Sequence, residues 1–180
     1  YLVGCQNLLK VRSSRRYYYT MNEKTILISG AFNPLHFGHL LLLRDASKYG
    51  KVIVALNSDE WVTKNKGYLL FDFETRKSLL EECEYVSKVI PFDDSEGDVV
   101  YALFEVRPTY FGNGGSATSL SLPKDEMRVC EYLDIEPVFN LGDVAKDIDN
   151  NILVSAQKSI INHANKELDN LENYISGDEK

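Results

Sequence analysis

An α/β fold, a parallel sheet covered by helices on both faces, is what three features of this chain predict. Apolar runs alternate with amphipathic segments from residue 21 onward. The runs are apolar at nearly every position, as strands buried on both faces require. Polar, glycine-bearing loops follow several of them, and loops at the carboxyl ends of parallel strands are where such sheets bind ligands.

The first strand is Thr25-Ile26-Leu27-Ile28-Ser29, and Leu40 to Tyr49 then reads as a helix closed by Gly50. Lys51 to Leu56 is a second buried strand. Glu74 to Tyr85 is expected to be helical, with Leu79, Leu80, Cys83 and Val86 on one face, and Ser87 to Phe92 to be the third strand. Val99 to Glu105 reads as a helix and Thr109-Tyr110-Phe111 as a short strand. Pro123 opens another helix, with Met127, Cys130 and Leu133 inward, and Glu136 to Phe139 is the last strand. Together these make a Rossmann-like sheet. Beyond it, Leu153, Ala156, Ile160, Ala164, Leu168, Leu171 and Ile175 recur every three or four residues, the pattern of an amphipathic C-terminal helix. The expected organisation is therefore an extension over 1–20, a working domain over 21–150 and a helix over 151–180. Residues 1–20 look foreign to the rest, with Lys10, Arg12, Arg15, Arg16 and no acid.

Composition narrows the function classes. The formal charge of -7 argues against general nucleic-acid affinity. No apolar run approaches the roughly 18 to 20 residues that a membrane-spanning helix needs. Cys5, Cys83 and Cys130 are too scattered for a disulfide framework or a zinc site. A reducing, cytoplasmic setting is expected.

The chemistry is concentrated in Gly30-Ala31-Phe32-Asn33-Pro34-Leu35-His36-Phe37-Gly38-His39. Two of the chain's three histidines lie three residues apart where a strand hands over to a helix. Free N–H groups and the positive end of the helix dipole favour phosphate at such a junction. The loops carrying His36 and His39, Asn57-Ser58-Asp59 and Asn113-Gly114-Gly115 all follow strands and should open onto one edge of the sheet.

The ordered block Gly30-x-Phe32-Asn33-Pro34-Leu35-His36-x-Gly38-His39 resembles the HxGH signature of the cytidylyltransferase-like nucleotidyltransferases. The resemblance continues through Val52 to Asp59, Lys64-Asn65-Lys66-Gly67, Glu74-Thr75-Arg76, Val86 to Ile90 and Phe111 to Gly115, covering about residues 24 to 145. It implies transfer of CMP, or AMP, from a nucleoside triphosphate to a small phosphorylated metabolite with release of pyrophosphate. It implies catalytic roles for His36, His39, Lys64 and Arg76. Gly30, Ala31, Phe32, Asn33, Gly38, Lys66, Asn113, Gly114 and Gly115 would bind the nucleotide. Magnesium on the phosphates, no metal ligand from the protein, and a homodimer are also implied.

Physical chemistry agrees with this assignment. A phosphate nucleophile is already ionised, so the protein must align reactants and neutralise growing charge. Lys64 and Lys66 can close over phosphates, and Arg76 can offer a bidentate fork. Each also has a plainer role: capping or packing for the histidines, a solvated loop for the lysines, a surface ion pair with Glu74 for Arg76, and a tight turn for Asn113. Departures from the family pattern are Asn33 in place of Asp, Ser116 in place of Asp, and a 144–151 segment with Lys146, Asp147 and Asp149 but no hydroxyl. They keep open a nucleotide-binding regulator without turnover, and Phe32-Asn33-Pro34 keeps open an NAD-pathway adenylyltransferase.

Overall fold

A computed structural model describes residues 23–114, 118, 122–142, 159, 162, 163 and 166–168. Five parallel strands form one sheet in the order β3-β2-β1-β4-β5. They are β1 (Thr25–Gly30), β2 (Lys51–Leu56), β3 (Val86–Pro91), β4 (Tyr110–Gly114) and β5 (Glu136–Leu141). The helices are α1 (Phe37–Ser47), α2 (Asp59–Lys66), α3 (Phe73–Glu81), α4 (Val100–Val106) and α5 (Lys124–Leu133). The chain runs outward from β1 to β3, then returns to build β4 and β5 on the other side of β1. Ligand crevices in such sheets open above the point where the strand order reverses.

Alternation along each strand explains the two cores. Leu27, Ile53, Ala55, Ile90 and Phe111 face α4 and α5, packing with Ala102, Leu103, Val129 and Cys130. Ile26, Ile28, Val52, Val54, Leu56 and Val89 face the opposite way, against Leu43 and Ala46 of α1 and Leu80 of α3. Apolar residues at successive positions are thus shared between two layers of helices, as the sequence pattern predicts. Cys130 is buried in the first core. Cys83 is half-buried beside the second.

Three sequence expectations need correction. Residues 59–66 form a helix rather than a loop. Ser58 caps it by accepting the Trp61 N–H at 3.1 Å, Asp59 and Glu60 occupy its first turn, and Gly67 closes it at φ 78°. The 74–85 helix ends at Glu81, and Val86 begins β3 instead of extending the apolar face; Leu79, within the helix, is 43% exposed. Gly50 is not the cap of α1, which closes at Lys48. A Cβ at Gly50 would strike the Lys24 carbonyl, where Lys51 N–H joins β2 to the start of β1.

The 1–20 extension, Gly115, Ser116 and the 143–151 segment lie outside the described residues. Of the predicted C-terminal helix, the described residues 159, 162, 163 and 166–168 are helical, and Leu168 is 58% exposed. None of the described helices is long and apolar enough to cross a membrane.

β4 can cross between the two cores only because Gly112 has no side chain. A Cβ there would collide with Ile28 Cδ1 and lie 2.8 Å from Leu141 Cδ1 and 2.9 Å from Ile26 Cδ1. Gly112→Ala is expected to lower unfolding free energy by about 1–3 kcal/mol through overpacking. Urea denaturation should show a lower midpoint at unchanged slope.

Candidate active site

A cavity of about 510 Å³ opens at the carboxyl ends of β1 and β2. Its wall includes backbone and side chains from Ser29 to Pro34, His36, His39, Asn57, Trp61, Lys66 and Tyr68, with Phe92, Gly97, Asp98, Val99 and Glu126 from the α4/α5 side. The loop joining β1 to α1 therefore faces the segments that follow β2 and β3, as parallel topology requires.

The two histidines meet at the mouth of α1. His36 is the N-cap residue, with extended backbone and no side-chain capping bond, and His39 lies three residues on in the first turn. Their rings stack at 3.7 Å between centroids with planes 23° apart. Phe32, only 3% exposed, braces His39 from a tilted position at 4.7 Å. Phe32 has φ 47°, a left-handed backbone unusual for a bulky residue and concentrated at functional loops. Gly30 makes room for it, since a Cβ there would lie 3.1 Å from the Phe32 ring.

Burial, and secondly the positive charge that His36 would carry, push the His39 pKa down to about 3. His39 is therefore neutral at pH 7, with one ring nitrogen carrying hydrogen and the other a lone pair. Its Nδ1 is buried and makes no hydrogen bond to the described residues, and neither does Trp61 Nε1. Buried polar atoms normally find partners. Both residues belong to the cavity wall.

Arg76 does something other than its sequence position suggests. It is 1% exposed, and its guanidinium donates to Phe71 O at 3.0 Å, Ala31 O at 2.7 Å and Asn57 O at 3.0 Å. It also pairs with Asp59 Oδ1 at 2.6 Å. Every nitrogen is engaged within the protein, so Arg76 positions the loops after β1 and β2 and has no fork left for phosphate. Asn33 is likewise committed. Its Oδ1 accepts from Leu70 N at 2.9 Å and Phe71 N at 3.2 Å, and its Nδ2 donates to Tyr68 O at 3.2 Å. An amide suits this place because it supplies both a donor and an acceptor, whereas a carboxylate would only accept.

The remaining expected residues divide. Lys66, in the last turn of α2, lines the cavity; Lys64, in the same turn, is exposed and does not. Gly38 is buried in the first turn of α1. Asn113 and Gly114 end β4 outside the cavity wall, with Asn113 Nδ2 donating to Phe111 O at 3.3 Å. Sequence reasoning missed Asp94. Its carboxylate, 8% exposed, accepts from Asn57 Nδ2 at 3.1 Å, Ser58 N at 2.8 Å and Ser58 Oγ at 2.8 Å. It ties the segment after β3 to the end of β2 and so orients Trp61. Glu126 also escaped notice, because a single acid at a helix start carries no signal of its own.

A family model described as cytidylyltransferase-like matches residues 27–175. The chain belongs to the cytidylyltransferase-like family. Within it, the chain is 42% identical over 71 residues to the glycerol-3-phosphate cytidylyltransferase of Staphylococcus aureus, covering 38% of this chain and 52% of that protein. It is 33% identical over 125 residues to the bifunctional protein HldE of Sulfurimonas denitrificans, covering 65% of this chain and 26% of that one. An FAD synthase of Thermoplasma volcanium is 30% identical over 84 residues, 46% of this chain and 58% of its own length. The matches thus span only 26% to 58% of these relatives. A crystal structure titled as the lipopolysaccharide core biosynthesis protein from Thermoplasma volcanium superposes with TM-score 0.53 at 25% identity, over 66% of this chain and 94% of that one.

Two outcomes follow for this cytidylyltransferase-like site. Arg76→Met should cost about 3 kcal/mol or more in urea unfolding, because buried carbonyls and Asp59 lose their donor. Between pH 6.5 and about 3 the unfolded chain protonates His39 while the folded chain resists it. Stability is therefore expected to fall on acidification through that window. His39→Leu should flatten that part of the pH profile relative to wild type, read by thermal unfolding at successive pH values.

Proposed function

We propose that this protein is a nucleotidyltransferase that moves CMP, or AMP, from a nucleoside triphosphate onto a small phosphorylated acceptor, releasing pyrophosphate. The stacked His36–His39 pair at the mouth of α1, inside the cavity, is the observation that carries the reading. Family membership and the names of the relatives support it.

The acceptor phosphate attacks the α-phosphorus of the triphosphate, the bond to the bridging oxygen breaks, and pyrophosphate leaves. The nucleophile is already an anion, so the protein's work is alignment and charge stabilisation. His36 and His39 donate to oxygens around the α-phosphorus, where negative charge develops. Triphosphate oxygens beside His39 oppose the effect of burial and favour its protonated form, which strengthens that hydrogen bond. The first-turn N–H groups of α1 add fixed positive potential without a titrating group. Lys66 supplies the neighbouring cation from α2. Among the described residues no group of three His, Cys, Asp or Glu side chains could hold a metal ion. Magnesium, when bound, would be held by phosphate oxygens and water, and would add charge neutralisation there.

The test is pyrophosphate release from CTP or ATP with a panel of phosphorylated acceptors. His36→Ala and His39→Ala should each lower kcat by about 100- to 1,000-fold. Lys66→Ala should act mainly by raising KM. Folded protein that releases no pyrophosphate with any pair would overturn the reading. Tight nucleotide binding in that silent protein would favour a regulator instead, a reading that the commitment of Arg76 to backbone carbonyls keeps in view.

A further inference from the structure

An imidazole turns on a broad χ2 torsion, so the plane of its ring is set by what surrounds it. The usual device is a hydrogen bond on one ring nitrogen, which fixes the orientation and tautomer presented by the other. His39 has no such bond on Nδ1, which is buried and unpartnered among the described residues. Two rings touch it instead, His36 at 3.7 Å and Phe32 at 4.7 Å between centroids. Of these, Phe32 is the one rooted in the second core, at 3% exposure.

Three features hold the Phe32 ring in that place. Its backbone takes φ 47°, which a bulky residue keeps only where its surroundings over-determine it. The residues on either side are tied down. Ala31 O accepts from the buried Arg76 guanidinium at 2.7 Å, and the Asn33 side chain is bonded to Tyr68 O, Leu70 N and Phe71 N. Gly30 leaves room for the ring, since a Cβ there would lie 3.1 Å from Phe32 Cε2.

We propose that Phe32 is a positioning residue for the transfer reaction, holding the His39 imidazole in its stack with His36, and that Gly30 is bare so that the Phe32 ring can do so. This rests on the nucleotidyltransferase reading and deepens it. Alignment at the α-phosphorus runs from Arg76 and Asn33, through the strained Phe32 backbone, to the ring of His39.

Phe32→Leu removes the ring and keeps an apolar side chain, whereas Gly30→Ala keeps the ring and crowds it. Ring protons of His36, His39 and His163 are followed by NMR against pH, with the exposed His163 as internal reference. Pyrophosphate release from CTP or ATP with a phosphorylated acceptor gives kcat and KM. The other titratable groups on the cavity wall are His36, Lys66, Tyr68, Asp98 and Glu126, and both variants leave them in place. Wild-type His39 is expected to titrate far below His163, because burial holds its pKa at about 3. In Phe32→Leu the imidazole gains water, and its midpoint should rise by at least about one pH unit while that of His163 stays. There kcat should fall at least about tenfold, with KM changed less than about twofold. Gly30→Ala should shift the His39 resonances and lower kcat. In the double variant Gly30→Ala should add no further shift of those resonances, because both changes act through one contact.

His39 resonances unmoved in both variants overturn the proposal. So does an unchanged kcat in Phe32→Leu, and so does a rise in KM alone, which makes Phe32 a surface for the ligand. The Gly30→Ala spectrum and kcat decide the matter if Phe32→Leu does not fold. Moved His39 signals in a protein that releases no pyrophosphate with any pair sink the transfer reading and leave Phe32 as the residue that orients His39.

Discussion

The working end of this sheet is held together by one buried cation. Arg76 reaches from α3 to the backbone that follows β1 at Ala31, the backbone that follows β2 at Asn57, and Phe71 just before its own helix. Asp59, at the start of α2, supplies the countercharge and also accepts the Phe73 N–H at 3.1 Å. A buried guanidinium is tolerable only when it is paired with a countercharge and hydrogen-bonded. Here that condition fixes three chain segments relative to one another. The histidine loop and α2 face a common cavity because these segments cannot drift apart without stranding the charge.

Asn33 and Asp94 extend the same logic to either side. Asn33 fastens the loop over 68–71 to the histidine segment, and Asp94 fastens the segment after β3 to Asn57 and Ser58. Both use side chains to satisfy backbone or amide groups at the sheet edge, where regular hydrogen bonding has ended. The consequence is preorganisation: the rings of His36 and His39 are held in place before any ligand arrives, so little ordering cost falls on binding. The electrostatic design is correspondingly economical in charge. A chain of net charge -7 gathers His36, His39, which is neutral at pH 7, a helix mouth and Lys66 at one cavity.

Much of the fold was legible because strand burial on both faces leaves a signal that needs no tertiary knowledge. Ile26 and Leu27, or Ile53 and Val54, are adjacent apolar residues that can both be buried only between two helical layers. The helix over 59–66 was missed because its charged and polar residues hide periodicity: only Val62 is buried. Its capping serine, acidic first turn, basic last turn and closing glycine were nonetheless all present in the chain. At the site, the histidine pair was legible from its spacing at a strand–helix junction. The roles of Arg76 and Asn33 were not, since an arginine at a helix start looks the same whether it meets phosphate or three carbonyl oxygens.

Local order along the chain was enough to determine the alternation of strands and helices, the parallel sheet and the placing of two imidazoles at a helix entrance, because each depends on residues within a few positions of one another. Tertiary structure alone decided which cations face the cavity and which are sealed beneath it, and that Glu126, Asp98 and Trp61 share a wall. Those outcomes depend on contacts between residues far apart in the chain, such as Arg76 with Asp59 and with Ala31. Charge burial and hydrogen-bond satisfaction, which no run of neighbouring residues encodes, settled them.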